Sequence, residues 1–340
     1  MSDPTNSSIG ADGFRFYEWD YLDGREPARV LSVTSIRKLA GEPFRLVNWQ
    51  LANILDVVLG TQKRTVIGPR GGVSEKRLKD QYPSEFVERY LFTEGRQEGI
   101  DALRKWTRAQ ADSPRNIAAI RGSIVHAAIE RDIPSDRIER PWVEAEFATM
   151  SKRERDKVQG TVSDEDIHFI HNSVRQYEAM RKQVDFHLIA RELQCWNLTA
   201  GYAGTFDALM WVPDLSWDRT PPPKGNLFTY EWVIDHGGHL VLGDWKTSKD
   251  VFTEHVIQLH AYMAAEFVGN NGLVDERLTK LLNATHRGGL FHIRPNQWGY
   301  HQFDYSEDVA RAFLGSVAFA RFLAMNPEPT FSHEQFGSAE

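Results

Sequence analysis

The chain has 340 residues, 41% hydrophobic and 26% charged, a globular composition that excludes a fibrous or wholly disordered polypeptide. Forty Lys and Arg against forty-seven Asp and Glu leave a net charge of −7, so an acidic partner such as DNA must be met by a local basic groove. The single cysteine, Cys195, excludes an intrachain disulfide framework and the four-thiolate sites of iron-sulfur clusters and zinc ribbons, and it suits a reducing cytoplasm.

In chain order, residues 1–13 are rich in Ser, Asp, Asn and Gly and read as a loose, disordered tail, without the basic start and apolar core of a signal peptide. No run of eighteen apolar residues occurs anywhere, so no membrane partner is expected. Residues 14–112 read as a helical region. Thr34 or Ser35 can cap a short helix that Gly41 ends, and Pro43 precedes an amphipathic helix carrying Leu46, Trp49, Leu51, Ile54 and Leu55. Trp49 at that spacing reads as core. Within this region, residues 60–82 read as an exposed basic loop bearing Lys63, Arg64, Arg70, Lys76, Arg77 and Lys79.

Helical periodicity returns over residues 83–109 and again from Pro114 through Glu130, where Ile117, Ile120, Ile124, Val125 and Ala128 make an apolar stripe. A long helix after Ser163 places acids early and bases late, as the helix dipole favours. Segments 186–199, 202–212, 227–234 and 239–245 are short, aromatic and β-branched, the pattern of strands, with the Asp235-His236-Gly237-Gly238 turn as a hairpin connection between the last two. A helix over 253–268, a hairpin through 288–303, a final helix capped by Ser306 and a tail over 326–340 complete the chain. This alternation predicts an α/β fold with a mixed sheet, its core over residues 113–325.

The sharpest chemical feature is Asp207 in one expected strand and Asp244-Trp245-Lys246 at the end of another. Carboxylates at two strand ends can converge on a hard divalent cation, which prefers oxygen ligands, and Lys246 lies on the same side of the pleat as Asp244. Such a cation neutralises phosphate and activates water, so the chemistry implied is phosphodiester hydrolysis. Two solvated strand-end acids are the plain alternative.

Four segments occur in a fixed order: Gly122 with His126, Gly204 with Asp207, Asp244 with Lys246 and Thr247, and Gln258 with Tyr262. Together they resemble the RecB-like exonuclease branch of the PD-(D/E)XK nuclease superfamily, over roughly residues 115–300. The segment from Val33 to Gln50 looks like the start of phage-encoded exonucleases of this kind. The resemblance implies a three-layer α/β/α sandwich with a central mixed sheet, a restriction-endonuclease-like core, preceded by the N-terminal helical region. It implies a Mg2+- or Mn2+-dependent DNA nuclease, an exonuclease before an endonuclease, acting in replication, recombination or repair with DNA and proteins of those processes as partners.

In the family pattern, Asp207, Asp244 and the Trp245 carbonyl hold the metal, His126 completes or flanks the shell, and Lys246 aids the attacking water. Gln258 and Tyr262, one turn apart, position Lys246 or the DNA; a structural seam between helix and sheet is their other use. Glu130 shares the helical face of His126 and is equally a surface acid, and Glu192 matches a frequently acidic position and is nearly as well read as an exposed strand acid. Thr247, Ser248 and Lys249 can contact phosphate or form a solvated loop, and Arg70, Lys76, Arg77 and Lys79 can wall a DNA groove or simply keep the surface soluble. With only Cys195, the iron-sulfur cluster of some relatives is excluded. Two alternatives stand beside the nuclease: a catalytically inactive DNA-binding or recombination accessory protein of the same fold, and a metal-dependent hydrolase acting on RNA or a nucleotide.

Overall fold

The computed structural model describes residues 6–10, 14–39, 63–67, 73–77, 116–152, 155, 162–214 and 222–325. These form a mixed α/β fold in which ten strands share one sheet. Its centre is a long antiparallel hairpin of β6 (His187–Asn197) and β7 (Tyr202–Val212), turned at Gly201, whose φ of +82° a side chain would strain. Cys195 lies in β6, wholly buried, between Gly204 of β7 and Val268 of β9 (Phe267–Asn270).

The free edge of β7 is shared by two partners. Its C-terminal half, Ala208 to Val212, pairs antiparallel with β8 (His239–Lys246). Its first residues, Tyr202 and Ala203, pair in parallel with Leu31 and Ser32 of β3 (Ala28–Ser32). Residues 204–207 therefore face a fork where β3 and β8 part. The inward register slips at the same place. Tyr202 and Phe206 before it, and Leu209 and Trp211 after it, enter one hydrophobic cluster, whereas strict alternation would send one pair to the opposite face.

β3 carries β2 (Arg15–Trp19), which carries β1 (Ser7–Ile9). β8 carries β11 (Arg287–Arg294) in parallel, and β11 carries β12 (Gln297–Asp304) antiparallel. Alternate residues of β8 enter separate cores. Leu240 and Leu242 pack with Ile36 of α1 (Val33–Leu39), Val233 of α5 (Tyr230–His236), Leu259 of α6 (Thr253–Met263) and Phe313 of α8 (Glu307–Met325). Val241 and Trp245 pack with Val125 of α2 (residues 116–130), Val143 of α3 (Arg140–Thr149) and Val174 of α4 (Asp164–Gln183). A smaller cluster joins β2 and β3 to the central hairpin, with Trp19 and Tyr17 set edge-on to Trp196 at 5.0 and 5.7 Å.

Several segments differ from expectation. Residues 7–9, read as part of a loose tail, form β1, and residues 15–32, read as a helical start, form β2 and β3 of the main sheet. Polar Ser7 and Ser8 hid the strand, which pairing with Tyr17 and Phe16 supports. The cap of α1 is Ser32, whose Oγ accepts from Ser35 N at 3.0 Å, while Ser35 Oγ accepts from Arg15 N at 2.7 Å and ties α1 to β2. The basic loop contains a hairpin, β4 (Lys63–Ile67) with β5 (Val73–Arg77).

Segment 227–234 is not a strand: Leu227 ends a 3-10 turn and Thr229 caps α5, accepting from Trp232 N at 3.3 Å. Trp232 and His236, one helical turn apart, stack at 4.2 Å, so an aromatic run that resembles a strand here builds a helix face. The glycines at 237 and 238 thus join a helix to β8. The helix expected to reach 268 ends at Met263, because Phe267 and Val268 pair with β6. β10 (Leu273–Val274) and α7 (Glu276–Asn283) follow. Asn271 and Gly272, at φ +49° and +79°, are the hairpin signal that marks this turn. The helices expected after Pro43 and over 83–109 lie outside the described residues. Among the described residues, no helix is long and apolar enough to cross a membrane.

α4 opens on a capping box: Ser163 Oγ accepts from Asp166 N at 3.2 Å and Asp166 Oδ2 accepts from Ser163 N at 2.8 Å. Ser163→Ala is expected to lower global stability by about 1 kcal/mol, read as a shifted denaturation midpoint with unchanged slope.

Candidate functional site

The fork positions a cluster of charged groups. The β7–β8 ladder stops at Ala208 and Gly243, and one rung further Asp207 lies opposite Asp244. There the Trp245 N–H donates to Asp207 Oδ2 at 2.7 Å, so a side chain takes the place of a ladder carbonyl. On the other side of β7, the pairs Arg191 with Ala208 and Leu193 with Phe206 set Glu192 opposite Asp207. Glu192, Asp207 and Asp244 therefore occupy one rung across three strands, a close approach of three acids.

α2 supplies the fourth group. His126 Nδ1 lies 3.5 Å from Asp207 Oδ2 yet, although buried, has no hydrogen-bond partner. One turn earlier, a Cβ on Gly122 would stand 2.8 Å from Thr247 Oγ1, so the bare backbone lets α2 close on the end of β8. Glu130, one turn beyond His126, is half-buried, and its negative charge acts on both Glu192 and Asp207.

From the other face comes α6. A Cβ on Gly204 would collide with the Tyr262 ring, so the glycine admits that ring against β7. Tyr262 OH accepts from Gln258 Nε2 at 2.9 Å, and Gln258 Oε1 accepts from Arg37 Nη1 at 3.3 Å. Lys246 points back to Asp244, its Nζ 2.7 Å from Oδ1 and 2.6 Å from Oδ2, as two residues on one side of a strand permit.

The electrostatics follow from burial. Burial raises the Asp244 carboxyl to about 6 despite the Lys246 ammonium, with Asp207 adding repulsion. Asp207 is raised too, by burial, against the opposing pull of Lys246 and the Trp245 N–H. Glu192 is pushed to about 9 by burial, then by Asp207 and Glu130. His126 falls to about 4 through burial first and Lys246 second, so it is a neutral imidazole at neutral pH. Glu192 thus keeps its proton at neutral pH when no cation is present, because burial first, and then the crowding of Asp207 and Asp244, exceed what the one Lys246 ammonium offsets.

One ligand atom each from His126, Glu192 and Asp207 lies within 4.8 Å of the others, a group that could hold a metal ion. An imidazole nitrogen with two carboxylates, and Asp244 alongside, is a donor set for hard or borderline divalent cations. The unpartnered Nδ1 of His126 and the displaced acid pKa values fit such a guest, because a cation would satisfy the first and reverse the second.

The structure thus brings together His126, Asp207, Asp244, Trp245, Lys246, Gln258 and Tyr262, and adds Glu192 and Glu130. Thr247 lies against Gly122, Ser248 in the following loop, and Lys249 is exposed beside it. Lys76 and Arg77 lie in β5, opposite Arg64 and Lys63, whereas Arg70 and Lys79 fall outside the described residues, as does Trp49. Sequence reasoning missed Arg37, Arg191, His255, His292 and Arg294. His292 Nε2 bonds Ser248 O at 2.7 Å and Arg294 Nη1 donates to Thr247 O at 3.2 Å, so β11 fixes the turn after Lys246. His255 falls to about 3 through burial, then the charges of Lys246, Arg37 and His292. The only sequence cue for His292 and Arg294 was their place in the hairpin expected over 288–303; that β11 runs parallel beside β8 emerges only in the structure.

No family model matches the chain, and no curated protein matches it. A solved structure described as "Crystal structure of SSO0001" is similar over 55% of this chain and 73% of its own, at 13% identity and a TM-score of 0.27. A likeness at that level bears on neither function nor residue roles.

Glu192 gives the metal-free protein a definite pH dependence. Between its ordinary value of 4.5 and its folded value of about 9, the unfolded chain has released the proton that the folded chain keeps. Its contribution to stability is therefore present at low pH and lost as pH rises through that window. His126 acts oppositely, its contribution being lost as pH falls from 6.5 toward about 4. In chelator, the denaturation midpoint of the wild type should decline from about pH 7 to pH 9, and Glu192→Gln should flatten that decline; parallel profiles for the two would contradict the assignment.

Proposed function

We propose that this protein is a divalent-metal-dependent DNA nuclease, acting as an exonuclease, of the RecB-like branch of the PD-(D/E)XK superfamily, with a three-layer α/β/α core. The observation that carries the proposal is the meeting of four distant segments at one fork. Gly122 abuts Thr247, His126 faces Asp207, Gly204 underlies Tyr262, and Lys246 pairs with Asp244. The two cores on alternate sides of β8 support the layered architecture.

Asp207, Asp244 and His126, with Glu192 and the Trp245 carbonyl, would hold Mg2+ or Mn2+. When bound, the ion supplies charge neutralisation at the scissile phosphate and lowers the pKa of a coordinated water. Trp245 N–H keeps the Asp207 carboxylate aimed into the site, and Asp244 keeps the Lys246 ammonium at its mouth. There Lys246 orients the attacking water and offsets negative charge that develops on the phosphate. Neutral His126 offers a lone pair, not a repelling charge. Gln258, braced between Arg37 and Tyr262, fixes the α6 side of the site, and exposed Lys249 reaches for a backbone phosphate of DNA.

End-labelled single- and double-stranded DNA, incubated with purified protein and Mg2+ or Mn2+, is expected to be shortened, and chelator should stop the reaction. Asp244→Ala and Lys246→Ala should each slow cleavage by about 10²- to 10³-fold or more with far-UV circular dichroism unchanged. Wild-type rates in both variants would overturn the residue roles. Salt-sensitive binding without cleavage in either metal would favour an inactive DNA-binding protein instead.

A further inference from the structure

Glu192 has a backbone φ of +48°. Among the described residues three other non-glycine residues share a positive φ, Leu22, Asp132 and Asn271, and those sit in turns or bends, whereas Glu192 lies inside β6. A left-handed side-chain-bearing residue within a strand persists only where its surroundings hold it. The neighbouring residue is tied to α2. Arg191 Nη1 donates to the Glu130 backbone carbonyl at 2.5 Å, and its Nη2 donates to Asp132 Oδ1 at 2.8 Å. These acceptors lie on the last residue of α2 and in the turn two positions past it, the same helix that carries His126. A guanidinium at a helix C-terminus is also favoured by the exposed carbonyls there. The fork chemistry proposed above leaves Arg191 without a part.

We infer that Arg191 is a positioning residue for the cation site: its clamp on the end of α2 holds Glu192 in the left-handed conformation that aims its carboxylate at His126 and Asp207. The inference rests on the metal site proposed above. Without the clamp, Glu192 relaxes toward extended backbone, and its carboxylate leaves the group that lies within 4.8 Å. Asp132→Asn, which keeps the Glu130 carbonyl bond and weakens the ion pair, disturbs the site less than Arg191→Met.

The test is a Mn2+ titration of the full chain followed by electron paramagnetic resonance, which reads free ion without any activity. Arg191→Met is expected to weaken Mn2+ binding about 10- to 100-fold, the range typical of residues that orient metal ligands, with Asp132→Asn between it and wild type. In a Glu192→Gln background, Arg191→Met should add no further weakening, because the clamp acts through that carboxylate. Wild-type affinity in Arg191→Met, or an undiminished effect in the Glu192→Gln background, overturns the inference. If Arg191→Met does not fold, Arg191→Lys in the same double-mutant cycle decides between these outcomes. Absence of Mn2+ binding by the wild type would instead sink the metal site itself, so the two failures are distinct.

Discussion

The hydrogen bond from Trp245 N–H to the Asp207 carboxylate is the joint on which the site depends. Two strands that part must leave backbone groups unpaired, and unpaired groups away from water are costly. Here a carboxylate takes the N–H. The exchange lets β8 and β7 diverge, fixes Asp207 at the point of divergence, and sets Asp244 opposite it on the same rung. Everything else at the fork is arranged around that pinned carboxylate: His126 above it, Glu192 across from it and Lys246 beside its neighbour. The price is three acids on one rung with a single ammonium between them. Burial and this crowding together raise the pKa values of the acids at the fork.

Two glycines make the approach possible from both sides of the sheet. Gly122 brings α2 against Thr247, and Gly204 brings Tyr262 of α6 against β7. Because α2 belongs to one hydrophobic core and α6 to the other, the site is framed by side chains anchored in both. Its groups are therefore held by packing and not by loop conformation, the condition under which a polar constellation keeps its geometry.

Much of this was legible in the order of residues. Short aromatic and β-branched segments announced β6, β7 and β8 closely, and the pairing of Asp244 with Lys246 follows directly from their spacing. The one-turn spacing of Gln258 and Tyr262 put both on one face of α6, where the structure adds a hydrogen bond between them. What failed was local pattern overridden by partners. The apolar run Tyr230 to Ile234 has a strand's composition, but a Thr229 cap and ring stacking along its own axis make it helical. Ser7 to Ile9 lacks a strand's composition, yet β2 offers it an edge. Nor does spacing reveal a strained φ: the setting of Glu192, and with it Arg191, exists only once α2 and β6 are docked.

The lone thiol has a fate decided by its place in the sheet. Cys195 is wholly enclosed between β7 and β9, and burial pushes its ionisation well above the ordinary thiol range. Since the reactive species is the thiolate, oxidants and alkylating reagents meet no nucleophile while the hairpin stays closed. Chemical damage at this thiol is thereby coupled to the rare opening of the sheet's centre, so the rate at which Cys195 reacts becomes a readout of the local folding equilibrium.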